Sequence, residues 1–370
     1  MDFIAYCQKQ RGGLALQFHS GRYRIWRPPI RSKQFLFAID FKIGGRDASN
    51  KRVRDTYSSC RIWVNHSIIL PMARYPTLFI DKLAITIPLE GQRAQEVHEA
   101  VIDSAERWGD YIALASLRNR SYRGQYKFST PEGSNAVLLL EPINRRNNYF
   151  KLEYSPNNFG EGGRALLGEY LREILGGTYL DDILSAKLTR LDVAFDVRRL
   201  RLKDLLIVDT RGGKSAIIRG GQGEPESYYF PFKGTNQLCV YDKLQETIDK
   251  QGPPPPNHKQ AQWVRFEYRY RRLSRYTLGD VVGRMENPFR NFEVKQFGAM
   301  AVHINTERLR MFFDGCRMAG VESVLEEIPD IATRDRLFSA YRAFPTPAFW
   351  QRRTSIWGGL PSAIENALPR

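Results

Sequence analysis

The chain has 370 residues, and its 56 Lys and Arg against 40 Asp and Glu give a formal net charge of +16. Hydrophobic residues make up 42% and aromatic residues 12%, which excludes a disordered polycation and a fibrous protein. No apolar run approaches the roughly 18 residues of a membrane span, and the four cysteines are too scattered for a disulfide framework. These features predict a protein of the reducing cytoplasm with no membrane contact, and the surplus charge favours nucleic acid as a partner.

The distribution of charge and of apolar residues predicts four segments. Residues 1–75 hold fourteen Lys and Arg but only four Asp, and this segment is either a basic arm that contacts DNA phosphates or a poorly ordered leader. Residues 76–275 have the pattern of a globular core, residues 276–345 are rich in predicted helix, and residues 346–370 form a predicted tail. Much of the net positive charge therefore precedes the globular part of the chain.

Strands and helices are mixed in the predicted core without a strict βαβ alternation. In chain order the periodicity predicts a strand at 80–87, a helix at 93–107, a hairpin of 136–140 with 149–154, a helix at 164–175, strands at 188–197, 237–243 and 263–271, and helices at 306–318 and 330–344. An exposed linker containing Pro253 to Pro256 separates the last two strands, and no internal repeat of useful length is visible. The predicted fold class is α+β, with a central, largely antiparallel sheet, flanking helices, a basic N-terminal arm and a helical C-terminal region.

The last three predicted strands carry polar side chains on one face and apolar side chains on the other. Taking every second residue, the polar faces collect, in chain order, Arg190, Asp192, Asp196, Tyr241, Lys243, Arg265 and Glu267. If the three strands are neighbours with their apolar faces inward, these seven side chains share a single surface.

This set of side chains suits phosphoryl transfer. Carboxylate oxygens are ligands for hard divalent ions such as Mg²⁺ and Mn²⁺, which neutralise the charge that develops on a phosphodiester. A tyrosine hydroxyl becomes a nucleophile when a base, a metal or a cation lowers its effective pKa, and Lys and Arg bind the non-bridging oxygens. The structural alternative stays open, because strand faces that meet water are usually charged and neighbouring charges form surface ion pairs.

Three short motifs lie in order on these strands: TRLDVAFD at 189–196, VYDKLQE at 240–246 and WVRFEY at 263–268. In this order they resemble the Rep_trans family of rolling-circle replication initiators, which includes plasmid initiators, filamentous-phage initiation factors and related relaxases. The resemblance extends over about residues 80–275 and leaves the basic segment and the C-terminal hundred residues outside it. Each motif alone is weak, and the ordered set is fairly specific.

The resemblance implies a DNA nicking-closing enzyme with Tyr241 as its nucleophile. The tyrosine would attack a phosphodiester at a replication origin, form a 5′-phosphotyrosine link and leave a free 3′-OH for polymerase. Lys243 would contact the phosphate, and Arg190 and Arg265 match basic positions beside the acidic ones. Where the family has Asn after its tyrosine this chain has Asp242, which on an ideal strand points to the opposite face, so we expect it to be tolerated.

The resemblance also implies a metal site and a set of partners. Asp192, Asp196 and Glu267 match the acidic positions that would bind or support Mg²⁺ or Mn²⁺, and which of them coordinates the ion directly stays open. The implied partners are origin DNA, single-stranded at the nick site, and a host helicase and polymerase. Whether the chain acts as a homodimer is left open.

Other tyrosines and one further carboxylate compete for a role in the site. Tyr228 and Tyr229 either stack on unpaired bases or fill core, whereas Tyr268 and Tyr270 fall on the apolar face of their strand and are expected in the core. Glu153 either joins the carboxylate cluster or forms a structural ion pair.

Two other functions are compatible with the same sequence features. A mobilisation relaxase would use the same chemistry at a transfer origin. A non-catalytic, basic DNA-binding regulator derived from an initiator would keep the charge and lose the nicking reaction.

Overall fold

The structure is a computed structural model. It describes 17–19, 22–24, 76–115, 121–144, 149–212, 214–221, 223–231, 236–252, 262–296 and 306–370. The chain divides into two compact units, Met1–Arg74 and Tyr75–Arg370. In the first unit the strands β1 (Gln17–His19) and β2 (Arg22–Arg24) pair antiparallel. The rest of the predicted basic arm and the Pro253 to Pro256 linker lie outside the described residues, and the bounds of the four predicted segments stay predictions.

Ten strands of the second unit form one sheet in which every pairing is antiparallel. The strands of this unit are β3 (Phe79–Pro88), β4 (Ile112–Leu114), β5 (Tyr122–Ser129), β6 (Asn135–Pro142), β7 (Tyr149–Tyr154), β8 (Lys187–Arg198), β9 (Leu205–Asp209), β10 (Ala216–Arg219), β11 (Pro225–Phe230), β12 (Asn236–Asp242), β13 (Trp263–Tyr270) and β14 (Phe292–Gln296). The order in the large sheet is β10-β11-β12-β13-β8-β3-β7-β6-β5-β4, while β9 and β14 form a separate ribbon. The predicted α+β class with an antiparallel sheet is confirmed.

Helices lie between the strands along the chain and also follow the last strand. They are α1 (Gly91–Arg107), α2 (Pro156–Leu175), α3 (Tyr179–Ser185), α4 (Lys243–Gln251), α5 (Val281–Arg284), α6 (Thr306–Ala319), α7 (Val321–Glu326), α8 (Ile331–Ala343), α9 (Ala348–Gln351), α10 (Arg353–Trp357) and α11 (Leu360–Glu365), with 3₁₀ turns at Leu202–Asp204 and Pro288–Asn291. Among the described helices, none is both long and apolar enough to cross a bilayer.

The large sheet has a two-fold arrangement that the sequence does not reveal. The two central strands are β3 and β8. On one side β3 pairs with β7, the last strand of the four-stranded meander β4 to β7, and on the other side β8 pairs with β13, the last strand of the meander β10 to β13. Corresponding Cα pairs of the two halves are Ile85–Leu152 with Val193–Tyr268, Leu138–Leu152 with Leu238–Tyr268, and Tyr126–Leu138 with Phe230–Leu238. In this correspondence the counterpart of Tyr241 is Glu141, which pairs with His98 at 2.9 Å. The candidate residues therefore lie in one half only.

The core lies on one face of the sheet and includes the C-terminal helices. The rings of Phe195 and Phe266 stack with centroids 5.1 Å apart, and Trp350 of α9 lies 5.2 Å from Phe266. Trp350 is buried and its Nε1 donates a hydrogen bond to the carbonyl oxygen of Phe292 at 3.1 Å. Residues 346–370, predicted as a tail, thus form three short helices packed in the core. Helices of four to six residues are too short to show a period of 3.6.

A smaller apolar cluster joins α6, α7 and α8 to strand β9. Phe313 of α6 and Phe344, just after α8, are buried with ring centroids 4.4 Å apart, and Leu206 of β9 belongs to the same cluster. The helices predicted at 306–318 and 330–344 are confirmed with ends shifted by one residue.

Candidate active site

The three strands predicted to share a polar face are neighbours in the sheet. β12 pairs with β13, and β13 pairs with β8. Their apolar alternates Val240, Phe266 and Phe195 are aligned in register and buried in the core. The polar alternates therefore lie together on the opposite face, which we call the polar face.

Side chains of the polar face are arranged in three rows that run across the strands. The first row is Ser227, Tyr241, Arg265 and Asp196; the second is Tyr229, Cys239, Glu267 and Ala194; the third is Gln237, Arg269 and Asp192. Arg190 lies one step further along β8, and Lys243 is the first residue of α4.

Tyr241 and Glu267 are in direct contact on this face. The Tyr241 hydroxyl donates a hydrogen bond to Oε2 of Glu267 at 2.9 Å, and Nε of Arg269 donates to Oε1 of the same carboxylate at 2.6 Å. Glu267 is only 2% exposed. The carboxylate is thus fixed at both oxygens, with one of them aimed at the phenol.

The pKa of Tyr241 is raised strongly above its usual value. Burial is the main cause and the charge of Glu267 adds to it, while the positive charge of Arg265 acts in the opposite direction. The phenol is therefore neutral at physiological pH. It can act as a nucleophile only when its proton is removed as the new bond forms.

Arg265 joins two carboxylates from different strands. Its Nε and Nη2 donate to the two oxygens of Asp196 at 2.7 and 3.0 Å, and Nη1 donates to Asp81 at 2.6 Å. The guanidinium also lies 4.9 Å from the ring centre of Phe79. Burial alone would lower the pKa of Arg265, but the hydrogen bond and charge of Asp196 outweigh it and raise the pKa. A fixed positive charge with bidentate geometry results.

Asp192 is the most buried of the predicted metal ligands, with 1% exposure. Nε of Arg190 donates to both of its oxygens at 3.0 Å. Burial nevertheless raises the pKa of Asp192, because the loss of water outweighs the pairing with Arg190.

Asp242 and Lys243 mark the point at which β12 turns into α4. The Asp242 side chain accepts a hydrogen bond from the backbone N–H of Gln245 at 3.0 Å and so caps α4. Capping gives Asp242 a local structural role at the helix end. Lys243 pairs with Glu246, and its Nζ lies 5.9 Å from the ring centre of Tyr241.

An open cleft of about 530 Å³ adjoins Lys243. Lys250 of α4 lines it together with Ser134, Ser155 and Asn158, which belong to the β5–β6 turn and the start of α2. Glu132 lines the cleft as well, so polar groups of mixed charge continue from the candidate site toward the other half of the sheet.

Asp81 is the site residue that the sequence patterns missed. On β3 the core residues are Ile80 and then Leu83, so the strict alternation breaks, and the pairing with β8 shifts register between Ile80 and Lys82. Such a bulge changes the direction in which neighbouring side chains point, here that of Asp81. The spacing of three between the apolar residues Ile80 and Leu83 is the sequence signal from which the bulge could have been predicted.

The carboxylates of Asp81, Asp192 and Glu267 are the candidate ligands for a divalent ion. The charges of Glu267 and Asp192 both contribute to a raised pKa of Asp81, for which burial is the largest cause, so the three carboxylates lie within electrostatic range. Their oxygens fit Mg²⁺ or Mn²⁺ in chemistry. Within the described residues, however, no three acidic, histidine or cysteine side chains are arranged as a ligand set. Ion binding at these three carboxylates would require Arg190, Arg269 and Arg265 to release Asp192, Glu267 and Asp81.

Asp196 and Glu153 are placed differently from the other predicted carboxylates. Both carboxylate oxygens of Asp196 accept hydrogen bonds from Arg265. The role of Asp196 as a metal ligand stays a prediction. Glu153 pairs with Lys151 at 2.5 Å on β7. Glu153 therefore forms an ion pair, which was one of its two predicted roles, the other being a place in the carboxylate cluster.

The competing tyrosines separate clearly. Tyr268 and Tyr270 are buried on the apolar face, as predicted, and Tyr228 is buried there too. Tyr229 lies on the polar face opposite Cys239. Of the tyrosines on the described parts of β11, β12 and β13, Tyr229 and Tyr241 are the two on this face.

Comparison with known proteins adds no family assignment, since no family model matches the chain and no curated protein matches it significantly.

Replacing Asp81 with Asn should change how stability depends on pH. Because the folded pKa of Asp81 is raised, the folded state binds its proton more tightly, and wild-type stability falls as pH rises from about 3.8 through the folded value. The D81N variant lacks this loss, so its stability relative to wild type should increase over that window. Urea unfolding in EDTA at a series of pH values measures it.

Asp280 provides the matched control, because its pKa is lowered by the backbone N–H of Thr277. Stability from this group is present above its unfolded pKa and is lost as pH falls, so D280N should lose stability at pH 7 and recover in acid. The same trend for D81N and D280N would refute the assignment for Asp81.

Proposed function

We propose that the chain is a metal-dependent DNA nicking enzyme of the rolling-circle initiator type, with Tyr241 as nucleophile. The observation that carries the proposal is the 2.9 Å hydrogen bond from the Tyr241 hydroxyl to Glu267. It lies beside the guanidinium of Arg265 and the ammonium of Lys243. A phenol, a buried base and adjacent cations are what attack on a phosphodiester requires.

In the proposed reaction the Tyr241 oxygen bonds to phosphorus as the bond from phosphorus to the 3′-oxygen breaks. Glu267 accepts the phenol proton, which finally resides on the released 3′-OH, so protons and charge balance. Arg265 and Lys243 hold the non-bridging oxygens. A divalent ion held by Asp192, Glu267 and Asp81 would supply charge neutralisation at the phosphate.

The exchange of one phosphate ester for another conserves the energy of the phosphodiester, so the reaction needs no nucleotide cofactor. The substrate would be a single strand extruded at an origin, because a phosphodiester in a stacked duplex is not free to enter the site. The proposed partners are origin DNA and a host helicase and polymerase, and the proposed location is the cytoplasm.

A second candidate is a DNA-binding regulator that does not cut. It is favoured by the pairing of Asp192 with Arg190 and of Asp196 with Arg265, which neutralises carboxylates that a metal would need. Such a protein would bind DNA through its positive charge and form no covalent adduct.

Glu267→Gln separates the two candidates. We expect E267Q to lower the rate of adduct formation with a labelled single-stranded oligonucleotide and Mn²⁺ by about 10²- to 10³-fold, because it removes both a proton acceptor and a metal ligand. Its affinity for duplex DNA should stay within about twofold, since binding depends on the phosphate contacts. The rate is read from denaturing gels and the affinity from fluorescence anisotropy.

Glu153→Gln is the matched control, because Glu153 lies on β7 of the same sheet and pairs with Lys151 away from Tyr241. E153Q should form the adduct at the wild-type rate. Equal losses of cleavage and binding in E267Q would assign Glu267 a structural role, and wild-type binding without any adduct would favour the regulator.

A further inference from the structure

Tyr229 is an aromatic side chain of the polar face that the proposed reaction does not use. Phe79 and Trp263 lie on the same face, but the guanidiniums of Arg265 and Arg198 lie over their rings. Tyr228 and Phe230, the neighbours of Tyr229 along the chain, are buried in the core and stack on each other, so β11 turns Tyr229 to the opposite face. There it is partly exposed and faces Cys239 across the strand pair. It makes no hydrogen bond, ring contact or ion pair with another described residue.

The second row of the polar face is unlike the charged rows on either side of it. Next to Tyr229 come Cys239 and, beyond Glu267, Ala194, both small and buried. Phe79 of β3 is paired with Ala194 at the far end. The row therefore has an aromatic ring at each end, with the carboxylate of Glu267 between two small side chains, and the guanidinium of Arg265 already lies over the ring of Phe79.

Tyr229 is close enough to Tyr241 to touch the same substrate. It lies on the adjacent strand, opposite the residue two positions before Tyr241. Such diagonal neighbours are about 7–8 Å apart between Cα atoms, within reach of aromatic side chains. In the proposed reaction the scissile phosphate meets the Tyr241 hydroxyl, so a ring on the adjacent strand would be within reach of a nucleotide next to that phosphate.

We propose that Tyr229 is a stacking platform for an unpaired base next to the scissile phosphate. The substrate class is single-stranded DNA, and the contact is tolerant of sequence because every base presents a flat π face. The inference rests on the proposed nicking function and adds a residue that positions the strand. Stacking on Tyr229 would hold the base while Arg265 and Lys243 hold the phosphate.

The test compares two probes that differ only in their bases: fluorescein-labelled dT₁₂ and a 12-mer of abasic deoxyribose phosphates. Affinities of the full chain are measured by anisotropy in EDTA, so that binding is separated from cleavage. The variants are Y229L, which keeps an apolar side chain without a ring, and Y229F and Y229W, which keep a ring.

We expect Y229L to bind dT₁₂ about tenfold more weakly than wild type, in line with the loss of one stacked base. Its affinity for the abasic 12-mer should be unchanged, and Y229F and Y229W should bind dT₁₂ at least as tightly as wild type within twofold. Y229V is a second variant without a ring, and it keeps the test valid if Y229L folds poorly, because a β-branched side chain suits a strand. It should show the same loss on dT₁₂ and the same affinity for the abasic 12-mer as Y229L.

Three results would overturn the inference. They are an equal loss of Y229L on both probes, wild-type binding of dT₁₂ by Y229L, and failure of the wild type to prefer dT₁₂ over the abasic 12-mer. Adduct formation with Mn²⁺ is measured separately for the wild type. If the wild type forms the adduct but the binding of dT₁₂ does not depend on the ring of Tyr229, the nicking function stands and the stacking platform is refuted. If binding depends on the ring but no adduct forms, the nicking function alone is refuted.

Discussion

Tyr241→Phe should abolish the covalent protein–DNA adduct while leaving the affinity for single-stranded DNA within about twofold. The substitution removes only the attacking oxygen, and loss of a nucleophile costs an enzyme of this kind at least about 10³-fold in rate. The ring and its apolar contacts remain, so the fold is kept. The adduct is detected as a labelled band of shifted mobility on denaturing gels after incubation with Mn²⁺.

Tyr229→Phe is the control for this result, because Tyr229 is the other tyrosine on the polar face of β11, β12 and β13. Y229F should form the adduct at close to the wild-type rate. An adduct made by Y241F would place the nucleophile elsewhere in the chain and would contradict the proposed site. An adduct lost in both variants would leave Tyr241 and Tyr229 undistinguished and count against the assignment.

Charge on the polar face is balanced by pairing. Asp192 is held by Arg190, Asp196 and Asp81 by Arg265, and Glu267 by Arg269. A phosphate that enters this face competes for the guanidiniums, and a divalent ion competes for the carboxylates. In the proposed reaction a phosphate that binds a guanidinium frees a carboxylate for the ion, and an ion that binds a carboxylate frees a guanidinium for the phosphate. We therefore expect metal and DNA to strengthen each other's binding.

Period-2 alternation was enough to predict the polar face. On β8, β12 and β13 it placed six of the seven candidate side chains correctly relative to the core, because a strand with one buried face must alternate; the seventh, Lys243, begins α4. It did not indicate that Arg269 would hold Glu267. Which cation meets which carboxylate depends on register between strands, and register is set by long-range pairing that a single sequence does not show.

The other misses have local causes. Asp81 was hidden by a bulge in β3, which breaks the alternation on which the prediction depended. The helices after residue 345 are too short to show periodicity, and their burial depends on Trp350 meeting Phe195 and Phe266 from distant strands. The two-fold arrangement of the sheet lies in its pairing registers, and its halves share too little sequence for a repeat to be seen.

Arg265→Met should destabilise the protein by about 3 kcal/mol at pH 7, the second large effect that we expect. Removing one partner of a buried ion pair leaves uncompensated charge, typically at a cost of about 3–5 kcal/mol. Here the side chain of Arg265 is 6% exposed and two carboxylates, Asp81 and Asp196, lose their cation. Methionine keeps the apolar contacts of the side chain, so the loss reports the charge. Urea unfolding in EDTA measures it.

The pH dependence of that loss identifies its cause. Burial already raises the pKa of Asp81, and without Arg265 this pKa must rise further, so protonation in acid removes the unpaired charge and the deficit of R265M should shrink as pH falls. Adding Asp81→Asn to R265M should recover part of the loss at pH 7 for the same reason. Arg201→Met, which removes an exposed partner of Asp204, should cost within about 0.5 kcal/mol at any pH. A deficit of R265M that is independent of pH would mean that packing, and not the two carboxylates, depends on Arg265.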